Sequence, residues 1–254
     1  MSQANVFSLQ GKTALITGGS RGLGFTIAQC MVDSGAKVII TSRHQEDAQR
    51  AAEVLGPQAF GYAFDVADTE TTRQWVSGLL AEHGRIDILV NNAGNHCKKS
   101  IEEMSVGDFE SIIDVHIVGA FALTKALVPH MKQYGNGNIL FMASMASFIG
   151  VPYVSGYSAA KSACLGLVRA LTTELADSGI RVNGIAPGWI DTPMLRKAIA
   201  GDKERSQKIL NRTPMKKFGT AKDIGWAAVY LVSDAAAFVS GHVLVVDGGA
   251  LIGF

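Results

Sequence analysis

Seven short runs of Val, Ile, Leu, Phe and Ala recur along this chain, and longer stretches of helical periodicity separate them. The runs fall at 12–17, 37–42, 59–64, 86–91, 138–143, 180–185 and 243–247. Near-continuous apolar strands belong in parallel sheets whose two faces are both covered. Parallel neighbours cannot be joined by a hairpin, so each pair needs a crossover, which is right-handed almost without exception. Helical patterns at 22–34, 45–55, 69–83, 108–133, 155–177 and 221–233 supply those crossovers. The expectation is one α/β domain over residues 1–254, a doubly wound parallel sheet of about seven strands with helices on both faces. Residues 188–215 break the rhythm with Pro193, Pro214 and many charges. An irregular insertion after the C-terminal end of a strand is where such sheets place a substrate lid. A solvated helix pair without a role is the alternative.

Composition narrows the function classes. The chain has 254 residues, 23 Lys and Arg against 22 Asp and Glu, and 48% hydrophobic residues. A chain this apolar is not a disordered tail, and one this near neutrality lacks the basic excess that nucleic acid demands. Three cysteines, Cys30, Cys97 and Cys164, form no CxxC pair, so neither a disulfide framework nor a metal site is expected. Cys97 lies beside His96, where a Cys–His pairing is conceivable. The opening residues show no basic segment followed by an apolar one, and no apolar run is expected to reach the 18 residues needed to span a bilayer. A cytoplasmic chain without a membrane partner is expected.

The first apolar run leads directly into Thr17-Gly18-Gly19-Ser20-Arg21-Gly22-Leu23-Gly24, and a helix pattern follows. Glycines in such a turn let backbone approach a pyrophosphate, whose charge then sits against the helix N-terminus. Further motifs follow in order: Asp65-Val66 after the third run, Asn91-Asn92-Ala93-Gly94 after the fourth, Ser144 after the fifth, and Pro187-Gly188 after the sixth. Tyr157 and Lys161, spaced i, i+4, share one helix face. A phenol titrates near pH 10, too high for a base at neutral pH, and a neighbouring ammonium favours its ionised form.

Taken in this order from residue 12 to 249, the set resembles the short-chain dehydrogenase/reductase family. That resemblance implies a single Rossmann-like domain, usually assembled as a homotetramer or dimer, acting on a small-molecule alcohol or carbonyl substrate. It implies that Tyr157 exchanges a proton with the substrate oxygen, that Ser144 orients that oxygen, and that Lys161 also holds the nicotinamide ribose. Cofactor contacts would come from Gly18, Ser20, Arg21, Gly22, Leu23, Gly24, Asp65, Val66, Asn92, Ala93, Gly94, Tyr157, Lys161, Pro187, Gly188, Ile190 and Thr192. One position departs from the family: His116 stands where members usually carry an Asn that supports a proton relay through a backbone contact. Imidazole both donates and accepts hydrogen bonds and ordinarily titrates near 6.5. His116 is therefore expected to retain the relay and add pH sensitivity, with a space-filling neutral ring or a weakened relay as alternatives.

Cofactor choice turns on the end of the second run. NAD-specific members place an acid there for the ribose 2′-hydroxyl, whereas this chain reads Thr41-Ser42-Arg43. Arg43, with Arg21, can fork onto a 2′-phosphate, which favours NADP(H) over NAD(H). Segments at 182–188, 212–214, 241–242, 247–249 and 144–148 look like the sugar-acid branch of the family, the gluconate 5-dehydrogenases and 2-deoxygluconate 3-dehydrogenases. Lys98 and Lys99 are placed to attract an anionic sugar acid, or are only solvated loop lysines. A 3-oxoacyl-(acyl-carrier-protein) reductase is the alternative within the enzyme class. A catalytically silent nucleotide-sensing scaffold is the alternative outside it.

Overall fold

The computed structural model describes residues 5–193, 195–196 and 200–253. Its strands are β1 (Thr13–Ile16), β2 (Lys37–Ser42), β3 (Ala59–Ala63), β4 (Ile88–Asn91), β5 (Gly137–Met142), β6 (Ile180–Pro187) and β7 (Val243–Val246). They form one sheet in the order β3-β2-β1-β4-β5-β6-β7, and every pairing is parallel. The chain winds outward from β1 to β3, then returns to lay β4 on the other side of β1. That reversal opens a crevice above the C-terminal ends of β1 and β4, where ligands bind in open α/β sheets.

The inner strands β1, β4 and β5 are buried on both faces, which is why they read as continuous apolar runs. Ile16, Ile40, Leu140 and Ile185 point into one core with Ile27, Met31, Ile224 and Val229. Their chain neighbours Leu15, Ile39, Ile139 and Phe141 point into the other, with Val76, Leu123, Leu127 and Val168. Alternation of side chains across the sheet sends adjacent residues to opposite cores. The first core is closed by α1 (Gly22–Asp33) and the second by α3 (Thr72–His83). Between them in sequence, α2 (Gln45–Leu55) packs on β2 and β3.

The pattern expected as one helix at 108–133 is three joined pieces. These are α4 (Val106–Ile113), a π-helical turn at Asp114–Val118, and α5 (Gly119–Tyr134). Ser105 and Asp108 start it with a reciprocal capping box. A Cβ at Gly119 would lie 2.1 Å from the Val66 carbonyl oxygen, so backbone meets backbone where this helix crosses the loop after β3. Val106–Tyr134 is long and apolar enough to cross a membrane, which corrects the expectation that no stretch reaches that length. Scattered polar residues hide its length from a search for uninterrupted runs. Here it is a core helix, with Ile112, Leu123, Leu127 and Met131 buried.

Further helices are α6 (Ser155–Leu175), α7 (Lys203–Arg212) and α8 (Ala221–Val232). Helix α7 lies inside the 188–215 segment, which is therefore less irregular than expected. Asp202 caps it through the Arg205 amide at 2.8 Å, and Ile209 is its buried anchor. Residues 194 and 197–199 of the expected lid, and 1–4 and 254 of the expected domain, lie outside the described residues.

Candidate active site

The cradle begins one residue after β1. The Thr17 hydroxyl accepts from the amides of Asn92 and Ala93, each at 3.0 Å, and donates to the Val90 carbonyl at 3.3 Å. Asn92 Nδ2 donates in turn to the carbonyls of Thr17 and Gly18, at 2.8 and 3.2 Å. The turn after β1 is thereby stitched to the turn after β4. Gly18 and Gly22 adopt φ of +64° and +60°, a region side chains rarely enter. A Cβ at Gly24 would lie 2.4 Å from both Asn92 Nδ2 and the Gly18 oxygen. Arg21 is the extended residue entering α1, and the first turn of that helix carries no acid. A tight glycine cradle ending on an uncontested helix N-terminus fits the pyrophosphate of a dinucleotide.

Other expected cofactor contacts stand along the same edge of the sheet. Ser20 and Leu23 are half-buried in the turn, and Arg43 is exposed just past β2. Among the described residues, no carboxylate pairs with Arg21 or Arg43. Asp65 is exposed after β3, where its Oδ1 accepts from the Ala67 amide at 3.0 Å, while Val66 is buried. Pro187 ends β6, and the Gly188 amide donates to the Val246 carbonyl at 2.9 Å. Ile190 is buried and bridges to Gly219, and the Thr192 hydroxyl accepts from the Leu195 amide at 3.3 Å.

Helix α6 brings Tyr157 and Lys161 to this edge. Lys161 is buried, and its Nζ lies 5.6 Å from the centre of the Tyr157 ring. The ammonium donates to the Met142 carbonyl at the end of β5, which holds one of its three donors. Ser144 caps the short turn Met145–Ser147, with its hydroxyl accepting from the Ala146 amide at 3.1 Å. Ser147 fastens that turn to α6: its hydroxyl donates to the Lys161 carbonyl at 2.7 Å and accepts from the Ser144 amide at 3.3 Å. Sequence reasoning gave Ser147 no role. Its spacing of three from Ser144, a reciprocal cap, is the signal that identifies it.

His116 lies inside the π-helical turn and is buried. Its ring meets Tyr157 edge-on, with centroids 5.6 Å apart and planes at 85°. Nε2 lies 2.8 Å from the Asn95 carbonyl and 3.2 Å from the Asn95 amide nitrogen: carrying a hydrogen it donates to the first, and without one it accepts from the second. Nδ1 is buried with no partner among the described residues. Burial, and then the charge of Lys161, push the imidazole pKa down to about 3 against the opposing pull of the Asn95 contact. The ring is neutral throughout the physiological range, so it does not supply the titration near 6.5 on which the expected pH sensitivity depends. A Cβ at Gly94 would lie 2.4 Å from His116 Cε1, so the last glycine of the Asn-Asn-Ala-Gly turn makes room for this ring.

The loop after Gly94 sorts its charged and reactive residues. Lys99 is paired with Asp108 at 2.8 Å, whereas Lys98 lies 5.9 Å from the Tyr153 ring centre. Only Lys98 fits the expectation of a lysine left to attract an anion. Cys97 approaches Asp108 with its sulfur at 3.9 Å, and His96 packs on Tyr157 instead of pairing with that thiol. No group of three His, Cys, Asp or Glu side chains gathers as a metal site among the described residues. A groove lined by Gln45, Gln49, Glu53, Phe60 and Tyr62 at the β3 edge contains none of the candidate catalytic side chains.

Known proteins share this arrangement over nearly their whole length. The family described as enoyl-(acyl carrier protein) reductase matches residues 18–250. A gluconate 5-dehydrogenase of Gluconobacter oxydans is 35% identical, with 99% of each chain covered. A 2-dehydro-3-deoxy-D-gluconate 5-dehydrogenase of Bacillus subtilis is 39% identical, with 97% of each covered. A 3-oxoacyl-(acyl-carrier-protein) reductase of Thermotoga maritima is 33% identical, covering 96% of this chain and 99% of the relative. The crystal structure of a gluconate 5-dehydrogenase from Burkholderia cenocepacia, in complex with NADP and tartrate, superposes with a TM-score of 0.92 at 35% identity, covering 96% of each chain. Likeness that runs unbroken from the glycine turn to the last strand settles the assignment: this oxidoreductase belongs to the short-chain dehydrogenase/reductase family.

Proposed function

We propose that the chain interconverts a secondary alcohol and a ketone on a polyhydroxy acid or keto-sugar, using NADP(H), as a gluconate 5-dehydrogenase does. The observation that carries this reading is the buried Lys161 ammonium, fixed to the end of β5 beside the half-buried Tyr157 ring. Bound NADP(H) supplies or accepts the hydride. The chain's own residues do the rest. Gly18 to Gly24 receive the pyrophosphate at the start of α1, and Arg21 and Arg43 take the 2′-phosphate. Asp65, Val66, Asn92, Ala93, Gly94, Pro187, Gly188, Ile190 and Thr192 complete the walls.

In the reducing direction, Tyr157 gives its phenolic proton to the substrate oxygen, and in the oxidising direction it takes that proton back. Ser144 donates a hydrogen bond to the same oxygen and orients it. Lys161 favours the phenolate and holds the nicotinamide ribose. His116 keeps the relay to Lys161 through its main chain, which is independent of the usual Asn side chain. The 188–215 segment serves as the lid of this single domain. The enzyme works in the cytoplasm as a homotetramer, with the exposed apolar residues Val106, Phe109, Val118 and Phe121 of the long helix available to a second copy.

The Thermotoga maritima relative sustains a second reading, 3-oxoacyl thioester reduction. A panel of keto-sugar acids, polyols, and 3-oxoacyl and enoyl thioesters, assayed with both cofactors, separates the two. Turnover of a keto-sugar acid with NADPH is expected. Faster turnover of a thioester moves the assignment to the second reading, and NADPH binding without turnover to a nucleotide-sensing scaffold.

A further inference from the structure

Two histidines flank the Tyr157 ring, and they face different surroundings. His116 lies beneath it, buried and bonded to Asn95. His96 lies on the loop after Gly94, exposed, with its ring centroid 5.3 Å from that of Tyr157 and the planes at 50°. His96 is carried by the same loop as Lys98, two residues before it. The mechanism above gives it nothing to do.

We infer that His96 is a specificity residue that hydrogen-bonds the hydroxyl groups next to the reacting carbonyl of a polyhydroxy acid, while Lys98 receives the carboxylate. This rests on the proposed substrate class. A neutral imidazole offers one donor and one acceptor, which matches vicinal hydroxyls that can each do both. Burial and Lys98 push the His96 pKa below its usual value, which favours that neutral form. Among the described residues, Lys98 has no carboxylate partner, and its nitrogen lies over Tyr153 rather than in the ion pair that takes up Lys99. Tyr153 holds a φ of +67°, and its carbonyl accepts from the Lys99 amide at 3.0 Å. The two loops that carry these groups are thereby fastened to one another beside the catalytic tyrosine.

The test uses His96→Leu and His96→Asn in the full-length enzyme, with 5-keto-D-gluconate and NADPH. For His96→Leu, KM for the keto acid should rise about tenfold, the effect of one or two lost neutral hydrogen bonds. Its kcat should stay within about threefold, and the NADPH dissociation constant within about twofold, of the parent values. His96→Asn, which keeps a donor and an acceptor, should recover most of the loss. An unchanged KM overturns the inference, as does a fall in kcat alone, which would mean that His96 acts on Tyr157 and not on substrate. Loss of NADPH binding in both variants overturns it too, as a structural role. If the parent enzyme ignores 5-keto-D-gluconate, the substrate reading itself fails. If the parent turns it over and the variants match it, only the role of His96 fails.

Discussion

Replacing His116 with Asn tests whether burial has removed this imidazole from the physiological titration. An ordinary imidazole titrates at 6.5, while in the folded chain His116 does so at about 3. Between those values the unfolded chain binds a proton that the folded chain refuses, so stability falls as pH drops through that window and is fully present above it. Each full pH unit inside the window is worth about 1.4 kcal/mol, so going from about pH 6.5 to about pH 4.5 removes roughly 2 kcal/mol. Asn has no proton to gain. His83, His96 and His130 are also pushed down, but they are common to both proteins and cancel in the difference. Urea unfolding of parent and His116→Asn enzyme, at matched protein concentration and without cofactor, reads the effect directly. The parent's stability relative to the variant should fall by about 2–3 kcal/mol between pH 7 and pH 4.5. Curves that stay parallel over that range would show that His116 titrates normally and refute the reasoning. The acid limb of kcat/KM near neutrality should meanwhile be the same in both.

Two further substitutions probe the cradle. Arg43→Ala should raise KM for NADPH by roughly 10- to 100-fold, the worth of a lost charged hydrogen bond, and change KM for NADH by less than about threefold. An equal effect on both cofactors in steady-state kinetics would remove the 2′-phosphate role. Gly24→Ala places a methyl 2.4 Å from a backbone oxygen and from Asn92 Nδ2. It should weaken NADPH binding at least about tenfold in a fluorescence titration and lower stability by about 1–3 kcal/mol; unchanged binding would show that the turn has slack.

Most of the sheet was legible because adjacent strand residues such as Leu15 and Ile16 are both buried, each in its own core. A local signal suffices there. The candidate site residues were legible from two signals: Ser144 follows a strand end that the apolar runs locate, whereas Tyr157 and Lys161 stand i, i+4 on one helix face. The π-helical turn was not. Asp114-Val115-His116-Ile117-Val118 reads as ordinary helix, and the local sequence does not mark Gly119 as packed against the Val66 carbonyl across the molecule. Helix α7 was legible only as part of the alternative, a solvated helix pair, because its face carries one buried anchor, Ile209, among mostly polar residues. Sequence could name His96 and His116 but not bring both rings onto Tyr157, because they reach it from a loop and a helix about twenty positions apart.

The central claim is that Tyr157 moves the proton in an NADPH-linked ketone reduction on a polyhydroxy acid. The direct measurement is NADPH oxidation with 5-keto-D-gluconate by the parent enzyme and by Tyr157→Phe, beside an NADPH titration of each. The account predicts steady turnover by the parent, a kcat lower by about a thousandfold in the variant, and similar NADPH affinity in both. A variant that keeps its rate, or a parent that binds NADPH and reduces no keto-sugar acid, would contradict it.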